Sequence, residues 1–207
     1  MIERVEKFKL PAGLTPLKGE KVVFYGRMAL IANLFWLVLG VIFTFTPILE
    51  TWVGKVSFKD VAWIYILGLI FLSIPFLRVI SSEYMVSNKR AYVKYGLISR
   101  RIAEARLEWI TDIHIRQGIF GRFFNYGDVL LATPSGPITS LVMYGVHDPL
   151  HVRTVVLEWV KKAQEAQRIK RKLEKLVEEY EFGRISETKY KELKEKYEKE
   201  LSALESD

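Results

Sequence analysis

Two long uncharged stretches dominate the first 80 residues of the chain. Met28 to Leu49 contains no charged residue over 22 positions, and as a helix it would reach about 33 Å, enough to cross the hydrocarbon core of a bilayer. Val61 to Leu77 adds 17 uncharged positions and continues past Arg78, whose long side chain can reach the headgroups. A buried helix of a soluble protein seldom runs this far without a polar residue. The pattern therefore predicts transmembrane helices over 28–49 and 61–80, joined by an external loop over 50–60.

Lys and Arg residues are distributed unevenly around these stretches. Residues 1–27 carry six, the loop 50–60 carries two, and the chain from Arg78 onward carries the other 23. Cytoplasmic segments of membrane proteins are enriched in Lys and Arg. We therefore expect a multi-pass protein of the cell membrane with both termini in the cytoplasm and with 1–27 as a cytoplasmic leader. Trp52 and Trp63 bracket the loop, as suits indole rings at the outer interface.

Beyond residue 82 the apolar residues alternate with polar ones, which is typical of β-strands with one covered face. Ile113 and Ile115 should face a core, with Asp112, His114 and Arg116 on the outer face. Asn88-Lys89 and Pro134 to Pro137 suit turns, and the glycine-rich, aromatic segment Gly118 to Asp128 suits an ordered connection. Six strands are predicted: Tyr84–Ser87, Arg90–Tyr95, Arg100–Leu107, Ile110–Gln117, Asp128–Thr133 and Ile138–Tyr144.

An amphipathic helix is predicted to follow the strands. Asp148 suits its N-cap and Pro149 its first position. Short antiparallel strands followed by one such helix favour a bent sheet or partial barrel, over 83–163, whose open end the helix plugs. The predicted fold class is thus an α+β membrane protein with a two-helix hairpin and a bent antiparallel β-barrel capped by a helix. The covered helix face comprises Val152, Val155, Val156, Trp159, Val160 and Ala163.

The last segment, 164–207, carries two apolar stripes at helical spacing amid Lys and Glu. Gly183 should end the first helix and Ser186 can cap the next, which predicts a helical hairpin. From Thr154 onward the segment has 13 basic and 13 acidic residues, a balance that does not indicate a nucleic-acid surface. The first stripe begins at Ala166 and the second ends at Leu201 and Leu204. We expect the stripe residues to mediate assembly: Ile169, Leu173, Leu176, Tyr180, Tyr190, Leu193 and Tyr197.

Several motifs resemble, in order and spacing, the bacterial pleckstrin-homology-like (PH-like) domain of membrane-anchored proteins, over roughly Glu83 to Trp159. They are Tyr84-x-x-Ser87-Asn88-x-Arg90, Gly96-Leu97-Ile98-Ser99-Arg100-Arg101, Leu107-x-x-Ile110-Thr111-Asp112-Ile113, Gly121-Arg122-Phe123-x-x-Tyr126-Gly127-Asp128-Val129 and Gly145-Val146-x-Asp148-Pro149. Gly19 to Arg27 resembles the leader of such proteins, and Gly183-x-Ile185-Ser186-x-x-x-Tyr190 resembles the short C-terminal domain called SHOCT. The resemblance implies a PH-type barrel tethered beneath the membrane and a tail that mediates assembly. It implies no reaction and no ligand-binding motif.

The composition limits the possible chemistry. Half of the 207 residues are apolar and none is Cys, which excludes a disordered chain, a disulfide scaffold and any site that needs a thiol. His147 and His151 have a spacing that could serve a metal, but His147 precedes the predicted N-cap. There is no nucleophile elbow, phosphate loop or HExxH motif. We therefore predict no catalytic residue, no metal site and no cofactor, and we expect the protein not to be an enzyme.

Charge indicates a possible contact surface. From Arg78 to Arg153 there are ten basic and six acidic residues, a net charge of +4. Basic residues near an anionic leaflet each gain about 1 kcal/mol, although a general cytoplasmic excess of Lys and Arg would give the same pattern. The candidate residues for contact with lipid headgroups or a partner are Lys89, Arg90, Arg100, Arg101 and Arg106.

These features favour a non-enzymatic, membrane-anchored scaffold or interaction module. Its cytoplasmic domain would serve self-assembly or bind a partner or lipid headgroups. The expected partners are membrane lipids and either a second copy or another membrane protein, with no nucleic acid. The alternative is a subunit or accessory of an oligomeric membrane conduit or transporter, in which Asn33, Thr44 or Thr46 would face a shared lumen. The stretches lack the ionisable residues that transport pathways usually need.

Overall fold

A computed structural model describes Thr15 and residues 17–54, 56–96, 99–134, 136 and 140–206. Several predicted features lie partly outside these residues: residues 1–14 and Pro16 of the leader, Lys55 of the loop, Leu97-Ile98 of the PH-like motif, Ser135 and Pro137 of the predicted turn, Ile138 and Thr139 of the sixth predicted strand, and Asp207 of the tail.

Two helices cover the uncharged stretches. A 3₁₀ turn over Leu30–Asn33 leads into helix α1, Leu34–Trp52, and helix α2 covers Phe58–Ser81. Both are long and apolar enough to cross a membrane. Helix α2 begins before the predicted Val61 because Asp60 lies in its first turn, where a negative charge stabilises the amino end of a helix.

The two helices pack as an antiparallel hairpin. The rings of Trp36 and Phe43 on α1 lie 5.8 and 5.5 Å from that of Phe71 on α2. A Cβ atom at Gly68 would come within 2.7 Å of the backbone nitrogen of Thr44. A glycine at this point therefore lets the two backbones approach closely, as small residues do between membrane helices.

Within the described part of the chain, seven antiparallel strands form two separate sheets. The first contains, in order, β1 (Val22–Gly26), β2 (Glu83–Ser87), β3 (Arg90–Tyr95) and β4 (Arg101–Arg106). The second contains β5 (Asp112–Arg116), β6 (Tyr126–Ala132) and β7 (Leu141–His147). The predicted barrel is therefore not closed. Strand β1 belongs to the leader and was not predicted. Val22 to Tyr25 is an unbroken apolar run, without the alternation of apolar and polar residues that is typical of a strand with one covered face.

The local predictions for the strands agree with the structure at several points. Asn88-Lys89 forms the turn between β2 and β3, where the Ser87 hydroxyl accepts hydrogen bonds from the Lys89 and Arg90 amides at 3.2 and 3.0 Å. Ile113 is buried and Ile115 half-buried, with the polar residues of β5 exposed. The connection after β5 contains a short helix, α3 (Ile119–Phe123), so it is more regular than its composition predicts.

Both sheets and the next helix enclose one hydrophobic core. Helix α4 runs from Pro149 to Glu181, and the Asp148 side chain accepts a hydrogen bond from the His151 amide at 3.3 Å, as the predicted N-cap should. The expected boundary at 164 falls inside this continuous helix. The core contains residues of the strands and of one α4 face: Tyr84, Val86, Val93, Leu107, Ile110, Val129, Leu131, Leu141, Met143, Val152, Val156 and Val160.

Helix α5, Glu187–Ser206, folds back along α4 after a turn at Gly183. The rings of Tyr180 and Tyr190 stack with centroids 4.4 Å apart. Ile169 and Leu176 are buried, and Leu173, Tyr190, Leu193 and Tyr197 are half-buried. The two apolar stripes therefore pack mainly against each other within one chain.

Candidate functional site

Strand register divides the predicted contact residues between two ends of the first sheet. Only Ser82 separates α2 from β2, so Glu83 lies beside the helix pair. Tyr95 pairs with Arg101 near that end, whereas Arg90 pairs with Arg106 at the other. Five strand residues correspond to about 17 Å. Arg100 and Arg101 therefore lie at what we term the helix-proximal end, and Lys89, Arg90 and Arg106 lie at the distal end.

Arg90 occupies a buried ion-pair network. Its side chain is 7% exposed, and its guanidinium donates two hydrogen bonds to the carboxylate of Glu20, at 2.7 and 2.8 Å. It also donates to Glu104 at 3.0 Å and to the Thr15 carbonyl at 2.6 Å. Arg90 thus fastens the leader to the β2–β3 hairpin, and we remove it from the predicted contact surface because its charge is already neutralised and covered.

The network shifts the ionisation of both partners. Burial raises the pKa of Glu20, but the hydrogen bonds from Arg90 and from the Leu17 amide lower it more, so the net pKa lies below its usual value. The hydrogen bond to Glu20 raises the pKa of Arg90 in turn. Both groups therefore stay charged at neutral pH, as a buried pair must to compensate its desolvation.

A groove of about 670 Å³ lies at the distal end, between the β2–β3 turn, β4 and α4. Two carboxylates lie along it, Glu104 paired with Arg90 and Glu108 3.7 Å from Arg106. Ala163, Ala166 and Leu204 contribute apolar surface. We name this the basic groove, after its remaining charged lining: Lys18, Lys21, Lys89, Arg106, Lys162 and Lys170.

Backbone hydrogen bonds fix the helix-proximal end of the sheets to the helix pair. The Ala29 amide donates to the Gly145 carbonyl at 2.7 Å, and the Met28 amide donates to the Ser82 hydroxyl at 3.1 Å. The Gly145 amide in turn donates to the Asp128 carboxylate at 2.8 Å. Arg100 and Arg101 are exposed at this end. The strands and the helix pair are thus joined by short bonds rather than by a free linker.

The polar residues of the helix pair form hydrogen bonds within one helix or between the two segments of the pair. The hydroxyl of Thr44 donates to the Gly40 carbonyl at 2.6 Å and that of Thr46 to the Ile42 carbonyl at 2.7 Å. Asn33 accepts a hydrogen bond from Arg78 at 3.2 Å. Hydrogen bonds within the helix pair need no lumen, so they give the conduit alternative no support.

The described residues contain no group of three or more His, Asp or Glu that could hold a metal. His147 ends β7 and His151 lies in the first turn of α4, and His114 lies 3.3 Å from Asp112 on the exposed face of β5. None of these histidines is paired with a nucleophilic hydroxyl by a hydrogen bond that the structure describes.

Two features of the structure were not predicted from the sequence. One is the ion pair between Glu20 and Arg90, whose only signal is an acidic residue in an otherwise basic leader segment, Lys18 to Arg27. The other is the exposure of the apolar side chains of α3. Their signal is an unusually aromatic sequence between glycines, which we interpreted as an ordered connection.

The chain matches a family model described as Bacterial PH domain over residues 25–177. That range includes both long apolar helices, strands β2 to β7 and most of α4. No curated protein and no solved structure matches the chain.

Proposed function

Because the chain belongs to the bacterial PH domain family, we propose that it is a membrane-anchored, non-enzymatic scaffold. The PH-like domain is a binding or scaffold module. In the proposal, α1 and α2 span the membrane and hold the two sheets against its cytoplasmic face. The basic groove then opens away from the membrane and binds an acidic segment of a partner protein.

The exposure of the helix pair carries the anchoring proposal. Only 22% of the most apolar window of α1 and 11% of that of α2 is buried. A core helix of a soluble protein would be mostly covered, and contiguous apolar patches beyond a few hundred Å² are rare on monomers. Hydrocarbon is the solvent that suits these outward side chains: Phe35, Val38, Ile42, Phe45, Trp63, Ile66, Ile70 and Phe76.

The position of the groove favours a protein partner over lipid for Lys89 and Arg106. The attraction of an anionic leaflet falls off within about 8–10 Å at physiological salt. The distal end lies about 17 Å along the strands from the helix-proximal end. A protein segment with carboxylates and apolar side chains would complement the groove, whereas in this proposal Arg100 and Arg101, at the helix-proximal end, contact headgroups.

We also propose self-association through the tail, for which less apolar surface is available. The hairpin of α4 and α5 already covers most of the stripe residues, but Val177, Tyr180 and Phe182 keep exposed apolar surface at its turn. A second copy or a membrane protein could pack there.

The groove is tested with the full chain in nanodiscs of phosphatidylcholine and a fluorescent peptide of Glu and Leu residues. Reversing two charges, in Lys89→Glu with Arg106→Glu, should weaken binding about tenfold or more, because each lost ion pair becomes a repulsion. The matched control, Arg100→Glu with Arg101→Glu, makes the same charge change at the helix-proximal end and should leave affinity nearly unchanged. Equal losses in both variants, or no binding at low salt, would refute the groove as the peptide site.

A further inference from the structure

The short helix α3 displays three large apolar side chains to solvent. Ile119 is 87% exposed, Phe120 64% and Phe123 82%. Among the large apolar side chains of the described residues, only Trp52 has an exposure comparable with that of Ile119 and Phe123. Leu150, in the first turn of α4, is also exposed. We name Ile119, Phe120, Phe123 and Leu150 the apolar wedge.

The topology places the wedge at the helix-proximal end. Helix α3 joins the end of β5 to the start of β6, and Arg116 of β5 pairs with Asp128 of β6. Asp128 bonds to Gly145, whose carbonyl accepts the hydrogen bond from the first residues of the helix pair. Tyr126 and Asp128 also line a cavity of about 760 Å³ together with Arg78 at the foot of α2. The wedge therefore protrudes from the same end of the sheets as the helix pair.

Contacts with neighbouring residues fix the position of α3, which carries three of the four wedge residues. The Gln117 side chain donates a hydrogen bond to the Gly121 carbonyl at 3.1 Å. A Cβ atom at Gly121 would lie 2.6 Å from the Tyr126 carbonyl oxygen, so α3 is pressed against the start of β6. Ordered presentation reduces the entropy lost when such side chains enter another phase.

We propose that the apolar wedge inserts into the cytoplasmic interface of the membrane in which the helix pair is anchored. The inference rests on the proposed anchoring, and it adds a second lipid contact made by the sheets themselves. Arg116 and Arg122 are exposed beside the wedge. Basic residues next to exposed Ile, Leu and Phe are the chemistry of interfacial membrane segments, which bury their apolar face about 5–10 Å into the boundary between headgroups and acyl chains. Two such contacts would fix the orientation of the basic groove relative to the bilayer.

The lack of Cys allows single labelling sites in the full chain. Ile119→Cys and Phe123→Cys would each carry an environment-sensitive fluorophore, in vesicles of phosphatidylcholine and phosphatidylglycerol with or without spin-labelled lipid. Phe182→Cys is the matched control, since Phe182 is 66% exposed but lies at the far end of α4. Phe45→Cys reports on the helix pair. The two wedge residues are so exposed that their replacement leaves the packing intact.

Both wedge labels should show blue-shifted emission and quenching by spin-labelled headgroups and shallow acyl positions, at a depth of about 5–10 Å, with no quenching at Phe182. Wedge labels that resemble the Phe182 label while the Phe45 label is quenched would overturn the wedge and leave the anchor standing. An unquenched Phe45 label would overturn both proposals. A blue shift at the wedge without quenching by lipid would mean that a second copy of the chain covers the wedge, and it would overturn the lipid contact.

Discussion

Replacing Arg90 by Ala is expected to destabilise the sheets by about 3–5 kcal/mol, because it leaves a buried carboxylate without its partner. The Glu20 side chain is 1% exposed and accepts two hydrogen bonds from Arg90. Hydrogen exchange of the β2–β3 amides and thermal unfolding in detergent would measure the loss. The part of the leader before β1 would also loosen, since Arg90 is bonded to it at Thr15 as well as at Glu20.

Two controls separate this effect from a general loss of charge. Arg101→Ala removes an exposed Arg from the same sheet and should change stability by less than about 0.5 kcal/mol. The double variant Glu20→Leu with Arg90→Met removes both charges and should recover much of the loss. Equal stability of Arg90→Ala and Arg101→Ala would contradict the structural role of the pair.

The ion pair of Glu20 and Arg90 also makes the stability of the fold depend on pH. The pKa of Glu20 is lowered from its usual 4.5 in the folded chain, so the pair stabilises the fold above that pH. Its contribution is lost as the pH falls from about 4.5 through the folded-state pKa. Acid should therefore destabilise the wild type more than Glu20→Leu with Arg90→Met in the same detergent.

Gly145→Ala is expected to loosen the junction between the sheets and the helix pair. Gly145 has φ +58°, and a Cβ atom there would lie 2.6 Å from that of Ala32. The left-handed conformation costs about 1–2 kcal/mol for a residue with a side chain, and the steric conflict adds about 1–3 kcal/mol. Faster hydrogen exchange at the Ala29 amide and a lower unfolding temperature would measure it.

Gly183→Ala is the matched control for Gly145→Ala. Gly183 has φ +68°, and nothing lies within 4 Å of the position of an added Cβ atom. It therefore carries the conformational cost without the conflict and should lose only about 1–2 kcal/mol, in the tail alone. Equal exchange at the Ala29 amide in both variants would show that the contact with Ala32 does not hold the junction.

The elements that depend on local periodicity and capping residues could be predicted from the sequence. Long apolar runs marked α1 and α2, alternation placed Ile113 in the core, and Asp148-Pro149 marked the start of α4. The separation into two sheets was not predictable, because alternation shows which face of a strand is covered but not which strand lies beside it. Arg90 was misplaced for a similar reason: its partner Glu20 is 70 residues away in the chain. The exposure of Ile119 and Phe123 was missed because apolar residues in a soluble segment are normally covered.

The order of the basic residues along the chain also did not indicate that the predicted contact residues lie at two different ends of the first sheet. Arg100, Arg101 and Arg106 are near neighbours in sequence, yet β4 carries Arg106 to the distal end. A strand of six residues is long enough to separate two charges by more than a screening length. Register, rather than composition, therefore decides which basic residues lie at the helix-proximal end.

Labelling of single cysteines in right-side-out membrane vesicles tests the anchored arrangement most directly. Val53→Cys lies at the end of α1 in the short loop, and Phe182→Cys lies at the α4–α5 turn. With a membrane-impermeant maleimide, the Val53 position should react in intact vesicles and the Phe182 position only after permeabilisation. Reaction of both positions in intact vesicles, or of Phe182 alone, would contradict a hairpin that spans the membrane with the sheets on its cytoplasmic side.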